Sequence, residues 1–395
     1  MPLTSYTENT MKKRYYFDHN ATTPVRPEVI EAMLPYLTEK YGNASSAHAF
    51  GREARQAIEQ SRETIARLIG AESDEIYFTG CGTESDNIAL TGSMLSAPRD
   101  KKGLITTKVE HSAVLKTATR LQGDGFQVTF LDVDGYCRAN LDQLGETVNS
   151  GTALVSIMHA NNETGVLQLI EEAAKIAHNA GALFHTDAVQ SAGKIPIDVK
   201  KMGIDMLSMS GHKFNAPKGI GILYVRNGVH ITPLTYGGSH ERGIRPGTEN
   251  VPWIVALAKA AELAMDCMDA EGVKISSLRN MLEKGIDETI PDVLFNGRGV
   301  PRLPGTANIL FPGVDGEALL FSMDMEGIAV STGSACTTGE VEPSHVLIAM
   351  GRKPKVAQSS IRFSMGWGTS EEGVNHILNV LPPVLERLRK ISGTI

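Results

Sequence analysis

The sequence predicts an α/β protein in which a mostly parallel sheet forms a large domain and a smaller α+β domain follows. Apolar runs of strand length alternate with helical patterns through the first two thirds of the 395 residues, which is typical of a parallel sheet covered by helices. The chain also exceeds the length at which one hydrophobic core usually stops growing. We therefore expect a large domain over residues 15–255 and a small domain over residues 256–395. The N-terminal segment is a candidate to pack on the small domain.

The clearest strand–helix–strand unit lies in the middle of the predicted large domain. An apolar run at 153–158 precedes a helical pattern at 170–181, and a second apolar run follows at 182–188. The apolar residues of the helical pattern share one face, and Gly181 supplies a helix stop. This order predicts two parallel strands joined by a helix.

Two further strands, at 205–211 and 219–225, flank a glycine-rich loop that contains Lys213. The loop is short, so this pair need not be joined by a helical crossover. An Ala- and Leu-rich helix at 253–268 is expected to connect the two domains.

The predicted small domain contains shorter elements. A terminal helix is expected from about residue 370, and Pro382 and Pro383 should kink or break it. The other pieces are expected at 306–311, 316–327, 328–333 and 360–366.

Composition excludes several classes of partner. A formal net charge of −7 gives no general attraction to nucleic acid or to an anionic membrane. No run reaches the ~18 apolar residues of a membrane span, and the polar N-terminus lacks the apolar core of a signal peptide. The four cysteines show neither a paired framework nor metal-ligand spacing, so we expect no metal and a reducing, cytoplasmic location.

An anion site is indicated at "FTGCGTESDN", residues 78–87. Here a strand end is followed by small residues and then by the start of a helix, where free N–H groups and the positive end of the helix dipole favour a phosphate. When this stretch is taken alone, an ordinary capped helix is the better explanation, and phosphate binding is favoured only together with other residues.

Two more residues make the anion site part of a larger pattern. Asp187 closes an apolar strand at the expected carboxyl edge of the sheet, and Lys213 follows a neighbouring strand. An amine, a buried carboxylate and a phosphate site are together what pyridoxal phosphate requires. Asp187 taken alone could instead be a helix cap.

With these residues in place, the sequence closely resembles the NifS/IscS-type cysteine desulfurases, which are pyridoxal-phosphate enzymes of the aminotransferase-like fold, fold type I. The resemblance runs from "YFDHNATTPV" at 16–25 to "IRFSMG" at 361–366. Between them lie, in order, "YGNASSAH", "VEHSAVL", "MHANNETG", "SGHK", "ERGIRPGTEN" and "STGSAC". The joint order and spacing of these stretches make the resemblance specific.

The resemblance implies a role for each matching cofactor residue. Lys213 would be the Schiff-base lysine and would move the proton at the substrate Cα, while Asp187 would pair with the pyridine nitrogen. Thr248 would reach the phosphate of the other subunit, which implies a homodimer with composite sites. The remaining cofactor residues would be Gly82, Thr83, Ser210 and His212 at the phosphate, Gln190 at the ring 3-oxygen, and Asn162 against the cofactor and substrate.

The resemblance also implies the residues that act on L-cysteine. His111 would stack on the cofactor ring and serve as acid and base, Arg362 would bind the substrate carboxylate, and Cys336 would take the sulfur as a persulfide. Each has a plainer interpretation: a satisfied loop histidine, a surface ion pair and a small buried hydrophobe. We accept that plainer interpretation for Cys137 and Cys267, and the role of Cys81, beside the phosphate site, stays open.

The expected activity is conversion of L-cysteine to L-alanine with transfer of sulfur to Cys336. The ending "RLRKISGTI" is shorter than the scaffold-binding tail of the family's housekeeping members, so the acceptor stays open: an iron–sulfur scaffold of another type or a tRNA-thiolation protein. The alternatives are a selenocysteine lyase and a non-catalytic sulfur carrier or scaffold. Turnover of cysteine distinguishes a desulfurase from a selenocysteine lyase. Purified protein without the yellow cofactor colour would favour a non-catalytic carrier or scaffold.

Overall fold

The computed structural model describes residues 13–332 and 343–393. Within this part of the chain, seven strands form the main sheet in the order β2-β8-β7-β6-β5-β3-β4. All neighbouring pairs are parallel except the two that involve β8, which is antiparallel to β2 and β7. The strands are β2 (Ile76–Thr79), β3 (Gly103–Thr107), β4 (Gln127–Leu131), β5 (Thr152–Ser156), β6 (Leu183–Asp187), β7 (Met206–Ser210) and β8 (Gly221–Val225).

Most helices of the first 250 residues cover the main sheet. Buried residues of α6, together with α2 and the first half of α7, form one apolar core, and α3 and α4 contribute to another. The helices up to this point are α1 (Pro27–Thr38), α2 (Ala49–Ile69), α3 (Gly82–Ser96), α4 (Ser112–Gly123), α5 (Leu141–Thr147) and α6 (Ile170–Asn179), followed by α7 (Val251–Thr289). Short 3₁₀ turns occur at Ser73–Glu75, Gly211–Lys213 and His240–Gly243.

A second sheet and a separate core follow α7. Strands β9 (Leu294–Asn296), β10 (Thr306–Leu310) and β12 (Ser360–Ser364) form an antiparallel sheet in the order β12-β10-β9. The N-terminal β1 (Tyr15–Tyr16) pairs in parallel with β11 (Ile328–Ala329), so the N-terminal segment packs on this second unit. The helices here are α8 (Gly316–Met325), α9 (His345–Ala349), α10 (Pro354–Ala357) and α11 (Glu371–Ile391).

The predicted strands and the α6 helix agree with these bounds to within about two residues, apart from the stretch expected at 328–333, of which β11 covers the first two residues. The connecting helix is longer than expected, because α7 continues to Thr289. Its first half packs in the core of the main sheet and its second half packs in the core of the second unit. The boundary expected between residues 255 and 256 lies inside this helix, and the division into two domains stays a prediction.

Of the expected kink or break at Pro382 and Pro383, the break does not occur, since α11 runs through both prolines. Proline removes an N–H donor and crowds the preceding turn. Here Ile377, Leu381 and Leu385 are fully buried in the second core, and this packing holds the helix together.

None of the helices in the described part of the chain is long and apolar enough to cross a membrane.

Candidate active site

A cavity opens at the carboxyl edge of the main sheet, where β6 and β7 end. Parallel neighbours bring their carboxyl ends to one edge, and this edge is the usual ligand side of an open α/β sheet. The cavity encloses about 670 Å³, part of which is open to solvent. It is lined by Cys81, Gly82, Thr83, Asp86, His111, Met158, Asn162, Asp187, Val189, Gln190, Ser210, His212 and Lys213.

One end of the cavity is suited to an anion. Helix α3 begins at Gly82, and a side chain at this position would meet Val189 Cγ2 at 2.6 Å. Ser210 is 2% exposed, and its hydroxyl has no hydrogen-bond partner within the described residues. A buried hydroxyl without a partner is costly unless a ligand completes it. The start of α3 and this hydroxyl therefore form a cup for a phosphate-like group.

His212 lies at the same end of the cavity. Its Nδ1 is 3.1 Å from Thr22 Oγ1. Burial, with the nearby charge of Lys213 as a second cause, lowers the pKa of His212 to about 4. The ring is therefore neutral at physiological pH and acts as a hydrogen-bonding group.

Asp187 stands at the end of β6 as a buried carboxylate. Its Oδ1 accepts a hydrogen bond from Val189 N at 2.8 Å. Burial raises the pKa of Asp187, and His111 and Lys213 act in the opposite direction. A buried carboxylate in such a position favours a cationic ligand group over a neutral one.

Lys213 ends the 3₁₀ turn that follows β7. Its Nζ donates to Asn20 O at 2.6 Å and to Ala21 O at 2.8 Å. Burial lowers the pKa of Lys213 to about 8, and Arg362 contributes in the same direction. A substantial fraction of the amine is therefore neutral near physiological pH, which is the nucleophilic form.

Gln190 and Asn162 lie on the side of the cavity that faces the N-terminal segment. Gln190 Nε2 donates to Asn20 O at 3.0 Å, and its Oε1 accepts from Lys194 Nζ at 3.4 Å. The backbone oxygen of Asn162 accepts from Asn20 Nδ2 at 3.1 Å. Both residues are thus held by contacts that cross between distant parts of the chain.

His111 is the N-cap of α4, and its Nδ1 accepts from Ala113 N at 3.2 Å. In a neutral ring this bond places the hydrogen on Nε2. A ring nitrogen of His111 and carboxylate oxygens of Asp86 and Asp187 lie within 4.8 Å of one another. A ring nitrogen of His111 therefore lies next to the two buried carboxylates.

Arg362, on β12, comes from the second sheet. Its Nη1 donates to Asn162 O at 3.0 Å and its Nη2 to Asp18 Oδ1 at 2.7 Å. Its Nε has no hydrogen-bond partner among the described residues. The guanidinium is thus fixed beside the cavity, and its Nε–H and the second N–H of each Nη are left by the described residues for a further acceptor.

One expected site residue of the described part of the chain, Thr248, is not brought into this cavity. Thr248 is exposed in the coil that precedes α7, and it does not line the cavity of this chain. Cys336 lies outside the described residues. Of the other cysteines, Cys81 is exposed at the cavity, Cys267 is partly buried, and Cys137 is buried, which raises the pKa of its thiol.

Sequence reasoning missed four residues at this site: Asp18, Asn20, Asp86 and Lys194. Asp18 and Asn20 lie in the stretch "YFDHNATTPV", which carried the family resemblance but to which we assigned no role. For Asp86 a signal was present, because the helical period of α3 places it on the same buried face as Ala89 and Leu90. A buried position for an aspartate is itself an indication of function.

The fold and this cavity define an α/β enzyme scaffold that offers an amine, a buried carboxylate and an anion cup to one ligand. Residues 15–377 match the aminotransferase class V family model, and the chain belongs to this family.

Known proteins resemble the chain over nearly its whole length. A cysteine desulfurase of Trichormus azollae is 50% identical over 377 residues, covering 95% of this chain and 94% of that protein. The cysteine desulfurase NifS of Azotobacter vinelandii is 46% identical over 378 residues, with the same coverage of 95% and 94%. A solved structure of a NifS-like protein has a TM-score of 0.87 at 39% identity and covers 97% of this chain and 100% of its own. The predicted family and fold class are confirmed.

The lowered pKa of Lys213 leads to a testable expectation. In the cofactor-free protein, the rate of labelling of Lys213 by an amine reagent, followed by peptide mass spectrometry, should rise with a midpoint near pH 8. An ordinary lysine is labelled with a midpoint at about pH 10.4. Replacement of Arg362 by Gln should move the Lys213 midpoint upward, because the charge that disfavours the ammonium is removed.

Lys200 serves as the internal reference, since Glu72 raises its pKa and its labelling should start at higher pH. A Lys213 midpoint at or above that of Lys200 would show that the described environment is wrong.

Proposed function

We propose that this protein is a pyridoxal-phosphate-dependent cysteine desulfurase that converts L-cysteine to L-alanine and transfers the sulfur to Cys336. One observation carries the proposal: a reactive amine at Lys213, a buried carboxylate at Asp187 and the unpaired hydroxyl of Ser210 surround one cavity. The identity of about half of all residues to cysteine desulfurases supports the choice of this reaction from those that the fold can host.

The residues present fit pyridoxal phosphate. The cup formed by Gly82, Thr83, Ser210 and His212 suits its phosphate, and Asp187 suits its ring nitrogen. Gln190 lines the same cavity, and one of its two amide hydrogens remains for a ligand, because within the described residues Nε2 makes one hydrogen bond, to Asn20 O. When bound, pyridoxal phosphate supplies an electron sink for negative charge at the Cα of an attached amino acid.

Lys213 has two tasks in this proposal. Its amine attaches the cofactor, and after substrate binding it moves the proton at the substrate Cα. Both tasks need a neutral amine for part of the cycle, which its lowered pKa of about 8 provides. Asp187 would pair with the ring nitrogen of the cofactor, and a ring nitrogen of His111 lies beside the same carboxylate.

Arg362 binds the substrate carboxylate. A planar guanidinium suits a carboxylate because two N–H groups can donate in parallel. In the described structure Asp18 already accepts from Nη2, and this pair orients the guanidinium. The N–H groups left on Nε and on the two Nη atoms can then donate to the substrate carboxylate.

The sulfur step requires a second nucleophile, for which we propose Cys336. Its thiolate forms a bond to the substrate sulfur while the bond between that sulfur and the substrate Cβ breaks. The electron pair stays with the carbon fragment, which takes up protons and leaves as alanine. The persulfide is then passed to an acceptor, an iron–sulfur scaffold or another thiolation protein, and we retain a cytoplasmic location as a prediction.

A homodimer is part of the proposal. On α1, Ile30, Leu34 and Leu37 form an exposed apolar face, and Tyr41 nearby in sequence is 70% exposed. The Tyr41 ring lies 5.9 Å from that of Phe50, which is also exposed. Apolar surface of this kind is suited to cover by a second copy of the chain.

The turn that precedes Thr248 is held in one conformation, which suits a residue that contacts a second subunit. Glu241, in the turn before it, is buried and takes two hydrogen bonds from Arg62 at 2.9 and 2.8 Å. Glu241 and Arg242 both have positive φ, 46° and 52°, a conformation that costs energy for residues other than glycine. The buried ion pair holds this strained turn and so fixes where the exposed Thr248 is presented.

Replacement of Cys336 by Ser tests the reaction. The variant should bind the cofactor and show a spectral change with L-cysteine, but release alanine at least about a hundredfold more slowly, because a hydroxyl is a far weaker nucleophile at neutral pH. Labelled sulfur should appear on the Cys336 peptide of the wild type and be removed by a thiol reductant.

The matched controls are the replacements of Cys137 and Cys267 by Ser, which should keep the label on Cys336. Label on another cysteine, or wild-type turnover by the Cys336 variant, would refute the persulfide step. Wild-type activity on selenocysteine but not on cysteine would identify a selenocysteine lyase instead.

Mixing two inactive variants tests the composite dimer. The Lys213→Ala chain and the Thr248→Ala chain are unfolded and refolded together. Each mixed dimer that forms has one site in which Lys213 from one chain can meet Thr248 from the other, and one site that lacks both. If Thr248 serves the other subunit, this mixture should regain tight cofactor binding and up to about a quarter of wild-type activity, because half of the dimers are mixed and each has one complete site. If Thr248 serves its own subunit, the mixture should show no gain over the separate variants.

A further inference from the structure

Asp86 is a buried carboxyl at the cavity for which neither the family roles nor the proposed mechanism has a use. It lies in the second turn of α3, is 1% exposed and lines the cavity. Ser208 provides a hydrogen bond to its side chain, but its Oδ1 has no hydrogen-bond partner within the described residues. A carboxylate in this environment is strongly disfavoured if it is ionised.

The neighbouring group is a second buried carboxyl, Asp187. Oxygens of the two side chains lie within 4.8 Å of each other. Two carboxylates this close in a buried site cannot both carry a full charge, so the pair retains a proton. The question is which of the two carries it.

The surrounding groups favour a proton on Asp86. His185 Nε2 is 3.7 Å from Asp86 Oδ1, yet this histidine is neutral, because burial lowers its pKa to about 3. Its two nitrogens are engaged with Ser156 Oγ at 2.9 Å and Ser208 Oγ at 3.0 Å. Asp86 therefore has no cation in contact from the strand beneath it.

The other titratable groups increase the difference between the pKa values of Asp86 and Asp187. The charges of His111 and Lys213 act on Asp187 and favour its ionised form. The charges that act on Asp86 are negative and raise its pKa. In order of decreasing effect they are those of Asp187, Glu110 and Cys81. Glu110 is itself buried and accepts from Met158 N and Thr107 Oγ1.

We propose that Asp86 is a positioning residue that stays protonated and, as a neutral acid facing Asp187, stabilises the ionised form of that carboxylate. The inference rests on the proposed function, since Asp187 acts on the ring nitrogen of bound pyridoxal phosphate. A more basic Asp187 would draw the proton away from that nitrogen. The neutral acid beside it therefore helps to keep the proton on the ring, where the electron sink requires it.

The test uses the holoenzyme reconstituted with pyridoxal phosphate labelled with ¹⁵N in the ring. The nitrogen chemical shift, followed against pH, reports how far the proton lies on the ring nitrogen. Asp86→Asn replaces the neutral acid by a neutral amide of the same shape that can still donate. Asp86→Ala removes the donor, and Asp86→Leu does so with nearly the same volume if the alanine variant does not fold.

Without the donor, Asp187 becomes more basic by about one pH unit, the effect of one hydrogen bond to a charged group, so at neutral pH the proton moves from the ring nitrogen towards Asp187. The ¹⁵N chemical shift of the Ala or Leu variant should therefore lie closer to that of an unprotonated ring than the wild-type shift does. The Asn variant should follow wild type, and should bind the cofactor about tenfold more tightly than the Ala variant in an equilibrium titration. Asp205→Asn is the matched control: this buried carboxylate contacts Arg226 at 2.6 Å outside the cavity, so its replacement should lower stability and leave the ¹⁵N titration unchanged.

The inference is overturned if the Asn variant shifts as far as the Ala variant, which would mean that Asp86 acts as an anion, or if no Asp86 variant shifts the titration. Wild-type protein that binds no cofactor, or forms no alanine from cysteine, would instead refute the proposed function, so the two failures are distinguishable.

Discussion

Asn20 links the parts of the chain that build the site. Its carbonyl accepts from both Lys213 Nζ and Gln190 Nε2, and its side chain donates to Asn162 O and to Thr306 Oγ1. Its backbone N–H donates to Ser364 Oγ at 2.9 Å. Buried polar groups must find partners, and here the partners come from the main sheet, from its loops and from the second sheet. The position of the reactive amine therefore depends on the correct packing of both units.

Burial also shifts the pKa values of the charged groups around the cavity. Burial lowers the pKa of Lys213 to about 8 and that of Lys194 to about 7. Nearby positive charge acts in the same direction, from Arg362 on both lysines and from Lys213 on Lys194. Asp18 and Asp187 offset part of this charge. Such a site costs stability in the free protein, and a phosphate, a carboxylate and a cationic ring would relieve much of the cost. The site is thus complementary to its ligands before they bind.

Much of the main sheet and the positions of Asp187 and Lys213 could be predicted from the sequence, because both depend on local patterns. Apolar runs identify strands, and parallel order brings strand ends to one edge. The pairing of Arg362 with Asp18 could not be predicted, since these residues are 344 positions apart and no local pattern relates their two stretches. The second half of α7 was missed for a related reason. It contains many polar residues, and its buried face packs in the second core against residues that come later in the chain. The same tertiary packing carries α11 through its two prolines, where local propensity favours a break.

The central claim is that this cavity places one particular amine on pyridoxal phosphate, and two amines with lowered pKa values compete for that assignment. The direct measurement is borohydride reduction of the protein with bound cofactor, followed by peptide mapping. The account predicts one cofactor per chain, fixed to Lys213, because that residue follows the carboxyl end of β7 and lines the cavity with Asp187 and the anion cup. Attachment to Lys194, or no covalent product in protein that binds the cofactor, would contradict it.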